Sequence, residues 1–533
     1  MPGLNTQSPR KLAGYDFYHK VSGSPTFVVA PMVDQSELVG VAKAVTEIWW
    51  AGTLIYTPMI NAKMFAEGNR KPFREQNFNI ACGEEGGPED RPLIVQFCAN
   101  DPDQLLASAK IVEPYCDAVD INLGCPQEIA KKGHYGSFLQ DEWELIYSLI
   151  NTLHTNLSIP VTAKFRVFPT VEKTVEYAKM LERAGAQILT CHGRLREQRG
   201  QRSGLADWDK IRAVKAAVSV PVFANGNILV HTDVARCLAE TGADAVMSAE
   251  GNLYNPAIFL ASAPSSSSLL PPPTASSASP SEPTQEASTS DSSTPPSPLP
   301  PSESDPTHPE TPSTSTPPPL PTHWHITSPL TGYHPAHTTL ASSYLALLLS
   351  QRTPTSPSAI KGHLFKLMRP ALGRETDLRE KLGRVVFPRI KGGKGEEAER
   401  RGFEEGVRRY KEVVGEMERR MLRDAHAAND KTICELVYLN PDTGLYTFPH
   451  WVAQPYVRPL PVEDVPNKPP KIPVAVKRAP AEADRAVEVD EVVAATQADQ
   501  ASEPEEGAAA AAKRTAYDRS PDESTKRLKL ADE

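Results

Sequence analysis

Residues 161–193 read VTAKFRVFPTVEKTVEYAKMLERAGAQILTCHG, and this stretch holds one complete strand-helix-strand unit. The β-rich runs at 161–166 and 187–193 flank a segment at 171–186 whose apolar residues recur at helical spacing, with Gly185 placed to end the helix. A strand followed by a helix and a second strand predicts a parallel pair, because parallel strands need a crossover of about a dozen residues or more.

The same unit recurs along the first half of the chain. Eight apolar runs lie at 26–32, 52–59, 92–97, 118–124, 161–166, 187–193, 221–227 and 243–251. Eight strands that alternate with helices over about 250 residues are typical of a closed (β/α)8 TIM barrel, and the alternative is an open, doubly wound sheet. We predict an α/β fold with an N-terminal extension at 1–25 and a barrel at 26–261.

The second half of the chain changes character several times. Residues 262–325 are mostly Ser, Pro and Thr and hold too few apolar side chains to offset the entropy of ordering, so a disordered insert is predicted. Helical periodicity returns in 326–430, which we predict to be a helical domain. Residues 431–465 keep Trp451 and several tyrosines and are predicted to pack back as an extension, whereas 466–533 are predicted to be a disordered tail.

Cysteine usage and hydropathy narrow the class of protein. The seven cysteines are scattered and form no C-x-x-C pair, which predicts neither a disulfide framework nor a metal site and fits a reducing compartment. The N-terminus has no apolar signal region, and no apolar run reaches the roughly 18 residues that span a bilayer. We expect a protein that is neither secreted nor membrane-spanning.

The charge is distributed unevenly along the chain. The net charge is −9, but residues 481–510 carry −8 and residues 262–322 carry −6, so the remaining residues carry +5 and a nucleic-acid partner is not excluded. Lys-Arg at 513–514 and Lys-Arg-Leu-Lys at 526–529 predict a bipartite nuclear-localisation signal read by an importin, with the protein in the nucleus, the cytoplasm or both. The alternative is a solvated run of charge.

Polar side chains gather where the predicted strands end, which is where TIM barrels build their active sites. These residues are Gln96, Asn122, Cys125, Lys164, Arg166, His192, Asn225 and Asn227. The most specific element is VDINLGCPQ at 119–127, followed by KKGHYG at 131–136. A cysteine is often only a small buried apolar residue, but the position of Cys125 between Gly124 and Pro126 after a strand favours a functional role.

Several of these elements together resemble the tRNA-dihydrouridine synthases. They are APM (30–32), NLGCPQ (122–127), AKFR (163–166), CHGR (191–194) and FANGNI (223–228). Each element stands at the end of a predicted strand, and the resemblance extends to IKGHLFKLMRP at 360–370. GHLFK and SAEGNLYNP (248–256) are most similar to the eukaryotic branch that acts on uridines 16 and 17 of the D-loop.

The resemblance implies an oxidoreductase that reduces the C5–C6 bond of uridine in tRNA. FMN, reduced by NADPH or NADH, would deliver a hydride to C6, and Cys125 on a mobile loop would give a proton to C5 as general acid. A free thiol has a pKa of about 8.5 and is mostly protonated at neutral pH. Two alternatives stay open: another FMN barrel acting on a free pyrimidine, such as a dihydroorotate dehydrogenase, and a catalytically inactive RNA-binding scaffold.

The resemblance also assigns cofactor positions. Lys164 would lie near flavin N1 and O2, Gln96 at the edge of the ring and His192 beside it, whereas a snorkelling surface lysine and a core histidine are the ordinary alternatives. The other implied positions are Pro31, Met32 and Val33 along the ring and Asn225, Gly226, Asn227, Ala249 and Glu250 around the phosphate. Because an acidic side chain repels a phosphate, only backbone groups at Glu250 are expected to bind it.

Contacts to tRNA are predicted on both domains. Asn122 and Arg166 are candidates for the target uracil and Arg194 for an RNA phosphate. In the helical domain the predicted basic face consists of Lys361, His363, Lys366 and Arg369. An ordinary solvated helix face is the alternative.

Overall fold

The computed structural model describes residues 11–33, 35, 53–67, 71–82, 84–200, 203–264, 319–389, 395–441 and 444–456. Most of the predicted insert, the predicted acidic tail and both basic motifs lie outside these residues. Within the part of the chain that is described, no helix combines the length and the apolar character needed to cross a membrane.

The first domain is a closed parallel barrel. Its strands are β1 (Phe27–Val29), β2 (Leu54–Tyr56), β3 (Ile60–Asn61), β4 (Leu93–Cys98), β5 (Ala118–Leu123), β6 (Val161–Arg166), β7 (Ala186–His192), β8 (Val222–Asn225) and β9 (Ala245–Ser248). From β4 to β9 each strand pairs with the next, β9 pairs with β1, β1 with β2, and β2 with β4, so the ring closes. All eight predicted strands are confirmed, the open sheet is excluded, and the short β3 was not predicted.

Helices surround the barrel. They are α1 (Gly14–Lys20), α2 (Ala62–Ala66), α3 (Lys71–Asn77), α4 (Pro102–Val112), α5 (Glu128–Gly133), α6 (Trp143–Asn156), α7 (Val171–Ala184), α8 (Trp208–Ala217), α9 (His231–Thr241) and α10 (Glu250–Tyr254). Helix α7 shows how local sequence sets the boundaries: the Thr170 hydroxyl accepts from the Lys173 amide at 3.2 Å, and Gly185 ends the helix at φ +115°.

Strand register stacks the polar residues into layers inside the barrel. Gln96 on β4 lies opposite Asp120 on β5, and Asp120 lies opposite Thr162 on β6. Two residues further along the strands, Asn122 lies opposite Lys164. Because side chains alternate between the two faces of a strand, residues two apart point to the same side, which places these polar groups in the interior, toward the carboxyl ends of the strands.

The second domain has its own apolar core and is mainly helical, as predicted. Its elements are β10 (Ile326–Ser328), β11 (Gly332–His334), α11 (His337–Ser350), α12 (Pro357–Leu367), α13 (Arg369–Leu372), α14 (Thr376–Gly383), α15 (Glu396–Ala427), α16 (Ile433–Leu436), β12 (Tyr438–Asn440) and β13 (Leu445–Thr447). Trp324 is only 3% exposed in this core, so the boundary predicted between the insert and this domain, at 325/326, falls too late. One tryptophan in a polar tract carries too little signal to move a boundary set by composition.

Hydrogen bonds to backbone carbonyls connect the two domains and anchor the extension. The Tyr333 amide donates to the Leu260 carbonyl at 3.0 Å, and Asn255 Nδ2 donates to the Tyr333 carbonyl at 3.0 Å. From the extension, Trp451 Nε1 donates to the His323 carbonyl at 2.9 Å, and Ala336 forms a bridge with Val452. The described part of the predicted extension therefore packs back on the second domain.

Candidate active site

Cys125 follows β5 at the mouth of the barrel, and its backbone is held from two sides. Asn122 Oδ1 accepts from the amides of Gly124 (3.1 Å) and Cys125 (2.9 Å). The Cys125 carbonyl accepts from both the amide (3.0 Å) and the hydroxyl (2.9 Å) of Ser137. The peptide groups on both sides of Cys125 are therefore hydrogen-bonded, and the mobility expected of this loop stays a prediction.

Gly136 brings the following loop against the cysteine. At this residue φ is +66°, and a Cβ atom would lie 2.8 Å from the Cys125 carbonyl oxygen and 3.0 Å from its Cβ. Only glycine combines that backbone conformation with so close an approach. Gly136, the second glycine of the KKGHYG motif, therefore allows this loop to pack against Cys125.

The Cys125 thiol is partly buried, and burial raises its pKa. The Gln127 amide and the positive charges of Arg166 and Lys164 oppose this shift without cancelling it. A raised pKa keeps the thiol protonated at neutral pH, as a proton donor requires. A nucleophilic cysteine would need the opposite shift.

Lys164 lies on the inner face of β6 and reaches across the mouth to β8. Its Nζ donates to Asn225 Oδ1 at 3.0 Å, and Asn225 Nδ2 donates to the Met247 carbonyl at 2.8 Å. Burial and the nearby Arg166 lower the lysine pKa to about 8, while Asp120 opposes that shift. The amide of Asn225 is thus occupied in orienting the lysine.

Arg166 is 8% exposed and ties the cysteine segment to the loop after β7. Its Nε donates to the Gly124 carbonyl at 2.8 Å, and its Nη1 donates to the carbonyls of Leu195 (2.8 Å) and Gln198 (3.1 Å). These contacts give Arg166 a positioning role, and its predicted contact to the uracil stays a prediction.

His192 and Arg194 lie side by side at the end of β7. Burial and three neighbouring cations hold the pKa of His192 well below its usual range, so the ring is neutral. Arg194 contacts His192 Nε2 at 3.2 Å and donates to Asn227 Oδ1 at 3.1 Å. The structure therefore draws Arg194 toward the predicted phosphate loop, and its predicted contact to RNA stays untested.

The predicted phosphate loops present backbone. Gly226 has φ +116° and Asn227 has φ +64°, and the Asn227 side chain is engaged by the amide (2.8 Å) and carbonyl (2.9 Å) of Ala206. Ala249 is the N-cap of α10, in which Glu250 is the first residue. Both loops follow the last two strands of the barrel, where TIM-barrel enzymes bind phosphate.

The remaining predicted site residues follow β1 or lie in the helical domain. After β1, Pro31 and Met32 are half-buried and Val33 is 47% exposed. In the helical domain, Lys361 Nζ donates to the Gly383 carbonyl at 2.8 Å and Lys366 Nζ to the Gly362 carbonyl at 3.4 Å. These roles in binding stay predictions.

His363 does not belong to a basic face. Its ring packs against Tyr344 with centroids 5.3 Å apart, and burial lowers its pKa to about 4. It is neutral at physiological pH, so our expectation that it adds positive charge is wrong. Helical spacing alone does not reveal which face of α12 turns inward.

Sequence reasoning missed Asp120. It is fully buried in the barrel and accepts from Thr162 Oγ1 at 2.6 Å and from Gln96 Nε2 at 2.7 Å. Gln96 is also fully buried, and its Oε1 accepts from Asn122 Nδ2 at 2.8 Å. The available signal was an aspartate two positions before Asn122, which alternation places on the same face of β5.

The mouth suits an anionic cofactor. Lys164, Arg166 and Arg194 crowd together: Arg166 lowers the pKa of Lys164, and Arg194 lowers that of Arg166. Such clustering of like charge is unfavourable without an anion between the cations. FMN offers two anionic regions, its phosphate and the N1–O2 edge of the reduced ring, so the residues present fit it.

Fold and site together define the class of protein, a (β/α)8-barrel enzyme with a protonated cysteine at a cationic mouth. The model of the family described as "Dihydrouridine synthase (Dus)" matches residues 28–282. The tRNA-dihydrouridine(16/17) synthase of Schizosaccharomyces pombe, whose name specifies NAD(P)(+), is 40% identical over 481 residues, which are 89% of this chain and 95% of that protein. The chain belongs to the dihydrouridine synthase family.

Two further relatives separate the branches of this family. The tRNA-dihydrouridine(16/17) synthase of Saccharomyces cerevisiae is 56% identical over 261 residues, 49% of this chain and 60% of that protein. A human protein named as a tRNA-dihydrouridine(20a/20b) synthase-like protein is 36% identical over 253 residues, 47% of this chain and 75% of that protein. Over matches of similar length, the chain is more similar to the 16/17 relative.

Proposed function

We propose that this chain is an FMN-dependent tRNA-dihydrouridine synthase that uses NADPH or NADH to reduce uridines 16 and 17 of the tRNA D-loop. The observation that carries the proposal is the seat of Cys125, whose backbone Asn122 and Ser137 hold at a cationic barrel mouth, with burial raising the pKa of the thiol. The higher identity to the yeast 16/17 relative than to the human 20a/20b relative supports the choice of positions.

The residues at the mouth divide the work of the reduction. When bound, FMN supplies the hydride that adds to C6 of the uracil. Cys125 gives its thiol proton to C5, so the C5–C6 double bond becomes a single bond and the thiolate takes a proton from solvent. Arg166 and Lys164 stabilise that transient thiolate by their charge. Because burial keeps the pKa of Cys125 raised, the thiolate is readily protonated again.

The same charges serve to hold the cofactor. Lys164 would face the N1–O2 edge of the flavin, with the neutral His192 beside it as a hydrogen-bonding group. The backbone at 225–227 and 249–250 would bind the phosphate, with Arg194 close by. Gln96, held by Asp120 and Asn122, would face the edge of the ring.

The helical domain is proposed to bind tRNA through Lys361, Lys366 and Arg369. All three side chains carry positive charge and are only partly buried.

The basic motifs at 513–529 are proposed to bind an importin that brings the enzyme into the nucleus. Substitution of Lys526 and Lys529 by Ala in a fluorescent fusion is expected to shift the protein toward the cytoplasm, and an unchanged distribution contradicts the signal.

The decisive experiment is Cys125→Ala. We expect this variant to bind FMN and consume NADPH but to form less dihydrouridine at positions 16 and 17 by a factor of roughly 10² to 10⁴, because only the general acid is removed. Dihydrouridine is mapped by mass spectrometry of an unmodified tRNA transcript incubated with enzyme and NADPH.

Cys434→Ala is the matched control, since Cys434 is exposed in the second domain. Unchanged dihydrouridine in Cys125→Ala would contradict the assigned acid. Reduction of a free pyrimidine by the wild type, with no reduction of tRNA, would favour the alternative of a small-molecule dehydrogenase.

A further inference from the structure

A buried carboxylate below the active site connects to the cysteine through side-chain amides. Asp120 Oδ2 accepts from Gln96 Nε2 (2.7 Å), Gln96 Oε1 accepts from Asn122 Nδ2 (2.8 Å), and Asn122 Oδ1 accepts from the Cys125 amide (2.9 Å). We infer that Asp120 is a positioning residue that fixes the orientation of both amides and thereby the seat of the Cys125 proton donor. This inference rests on the proposed function.

The polarity of this chain of hydrogen bonds supports the inference. The side-chain amides of Gln96 and Asn122 have nearly symmetric ends, and either can rotate by 180°. An ionised carboxylate accepts and cannot donate, so Asp120 forces Nε2 of Gln96 toward itself and Oε1 toward Asn122. Asn122 must then donate to Gln96, which leaves its oxygen for the backbone amides of Gly124 and Cys125.

A reversed chain would present an N–H group of Asn122 to two backbone N–H groups. That arrangement leaves donors facing each other in a buried site, which is costly. Burial raises the pKa of Asp120 to about 6, while the hydrogen bonds from Thr162 and Gln96 and the charge of Lys164 oppose that shift, so the carboxylate is ionised at pH 8 at a cost in desolvation. A polar residue needed only to fill space would carry no charge there.

Asp120→Asn tests the inference, because it keeps the shape of the side chain and adds a donor, so that neither orientation of Gln96 is imposed. Stopped-flow absorbance at pH 8 follows flavin reduction by NADPH and flavin re-oxidation by tRNA as separate rates. We expect re-oxidation by tRNA to slow roughly ten- to hundred-fold more than flavin reduction, because only the tRNA step uses the cysteine.

Thr190→Val is the matched control. Thr190 is 1% exposed on β7 inside the same barrel, and its hydroxyl lies by that of Tyr56 and makes none of the hydrogen bonds that link Asp120 to Cys125. The substitution removes a buried hydroxyl without touching the chain from Asp120 to Cys125. We expect both flavin rates of Thr190→Val to change by a common factor.

A second measurement needs no turnover. Alkylation of Cys125 by iodoacetamide, followed by mass spectrometry with Cys434 as internal reference, reports how firmly the cysteine is seated. We expect faster relative alkylation of Cys125 in Asp120→Asn and in Gln96→Leu, and no change in Thr190→Val. Gln96→Leu breaks the chain one link further on and serves if Asp120→Asn does not fold.

Three outcomes overturn the inference: an equal slowing of both flavin rates, unchanged alkylation in both variants, or additive effects of Asp120→Asn and Asn122→Ala on the tRNA step. Additivity would mean that Asp120 does not act through Asn122. If wild-type enzyme reduces no uridine at all, the proposed function fails, and the alkylation result still decides whether Asp120 seats the cysteine.

Discussion

Lys164 illustrates how a single residue at the mouth responds to its surroundings. Its ammonium group is enclosed by the barrel, with Arg166 near it, and its pKa falls to about 8 from the usual 10.5. Between these two values the unfolded chain binds more protons than the folded one, so this residue makes folding more favourable as pH rises from about 8 toward 10.5.

We therefore expect the melting temperature of cofactor-free wild type, relative to Lys164→Met, to increase between pH 7.5 and pH 9.5. Thermal denaturation of both proteins at several pH values checks this, and the subtraction removes other groups that titrate, such as Lys11. FMN should weaken the trend, because a bound anion favours the protonated lysine. A difference that does not vary with pH would contradict the assigned burial.

The sequence predicted which residues converge at the mouth but not how they share the work. Cys125, Lys164 and His192 were identifiable because polar residues at the ends of apolar strands stand out. The engagement of Asn122 and Arg166 with backbone groups of the cysteine segment depends on side-chain direction, which spacing does not encode. Asp120 was missed because it lies in the middle of β5, whereas the TIM-barrel pattern predicts functional polar residues at the ends of the strands.

At the scale of elements, the segment Gly136–Leu139 closes over the cysteine and makes the next prediction. Gly136→Ala is expected to weaken folding by about 1–2 kcal/mol through its positive φ and also to slow the tRNA step, because the new methyl group presses on Cys125. Urea denaturation and dihydrouridine formation measure the two effects.

Gly242→Ala is the control, since Gly242 has nearly the same φ, +67°, but nothing within 4 Å of its Cβ position. This variant should lose similar stability and keep activity per folded molecule. Equal activity in both variants would show that the contact with Cys125 is unimportant.

Strands and helices could be predicted where the sequence segment was long enough to show a clear apolar pattern. The six strands β4–β9 and α7 follow from apolar runs and caps, and the three-residue β1 and β2 lie within longer apolar runs at 26–32 and 52–59. By contrast, β3 and the two hairpins of the second domain span only two or three residues per strand and lie in no such run. Such short pairs are fixed by tertiary contacts, including the bond from the Tyr333 amide to Leu260. Local sequence carries little of that information.

At the scale of the whole molecule, Arg369 joins three parts of the chain. Its guanidinium lies 3.9 Å from the ring centroid of Tyr456 in the extension and 5.9 Å from that of Tyr254 in α10 of the barrel. We expect Arg369→Ala to lower the free energy of unfolding by about 0.5–2 kcal/mol and to raise KM for tRNA.

Arg384→Ala removes the same charge but only a surface ion pair with Glu380, so its stability should change by less than about 0.5 kcal/mol. Urea denaturation and the tRNA concentration dependence of the rate compare the two variants. Equal effects on stability would argue against a connecting role for Arg369.

Two contacts join the last described segment to the first residues of the second domain. They are the β-bridge between Ala336 and Val452 and the hydrogen bond from Trp451 to the His323 carbonyl. This arrangement sets how the gene tolerates premature stop codons. A stop before codon 451 removes the buried Trp451 from the core of the second domain. The truncated protein should therefore be unstable and be degraded in the cell. A stop after codon 456 leaves every contact described above in place but removes the basic motifs at 513–529, so such alleles should keep the folded domains and lose the proposed nuclear signal.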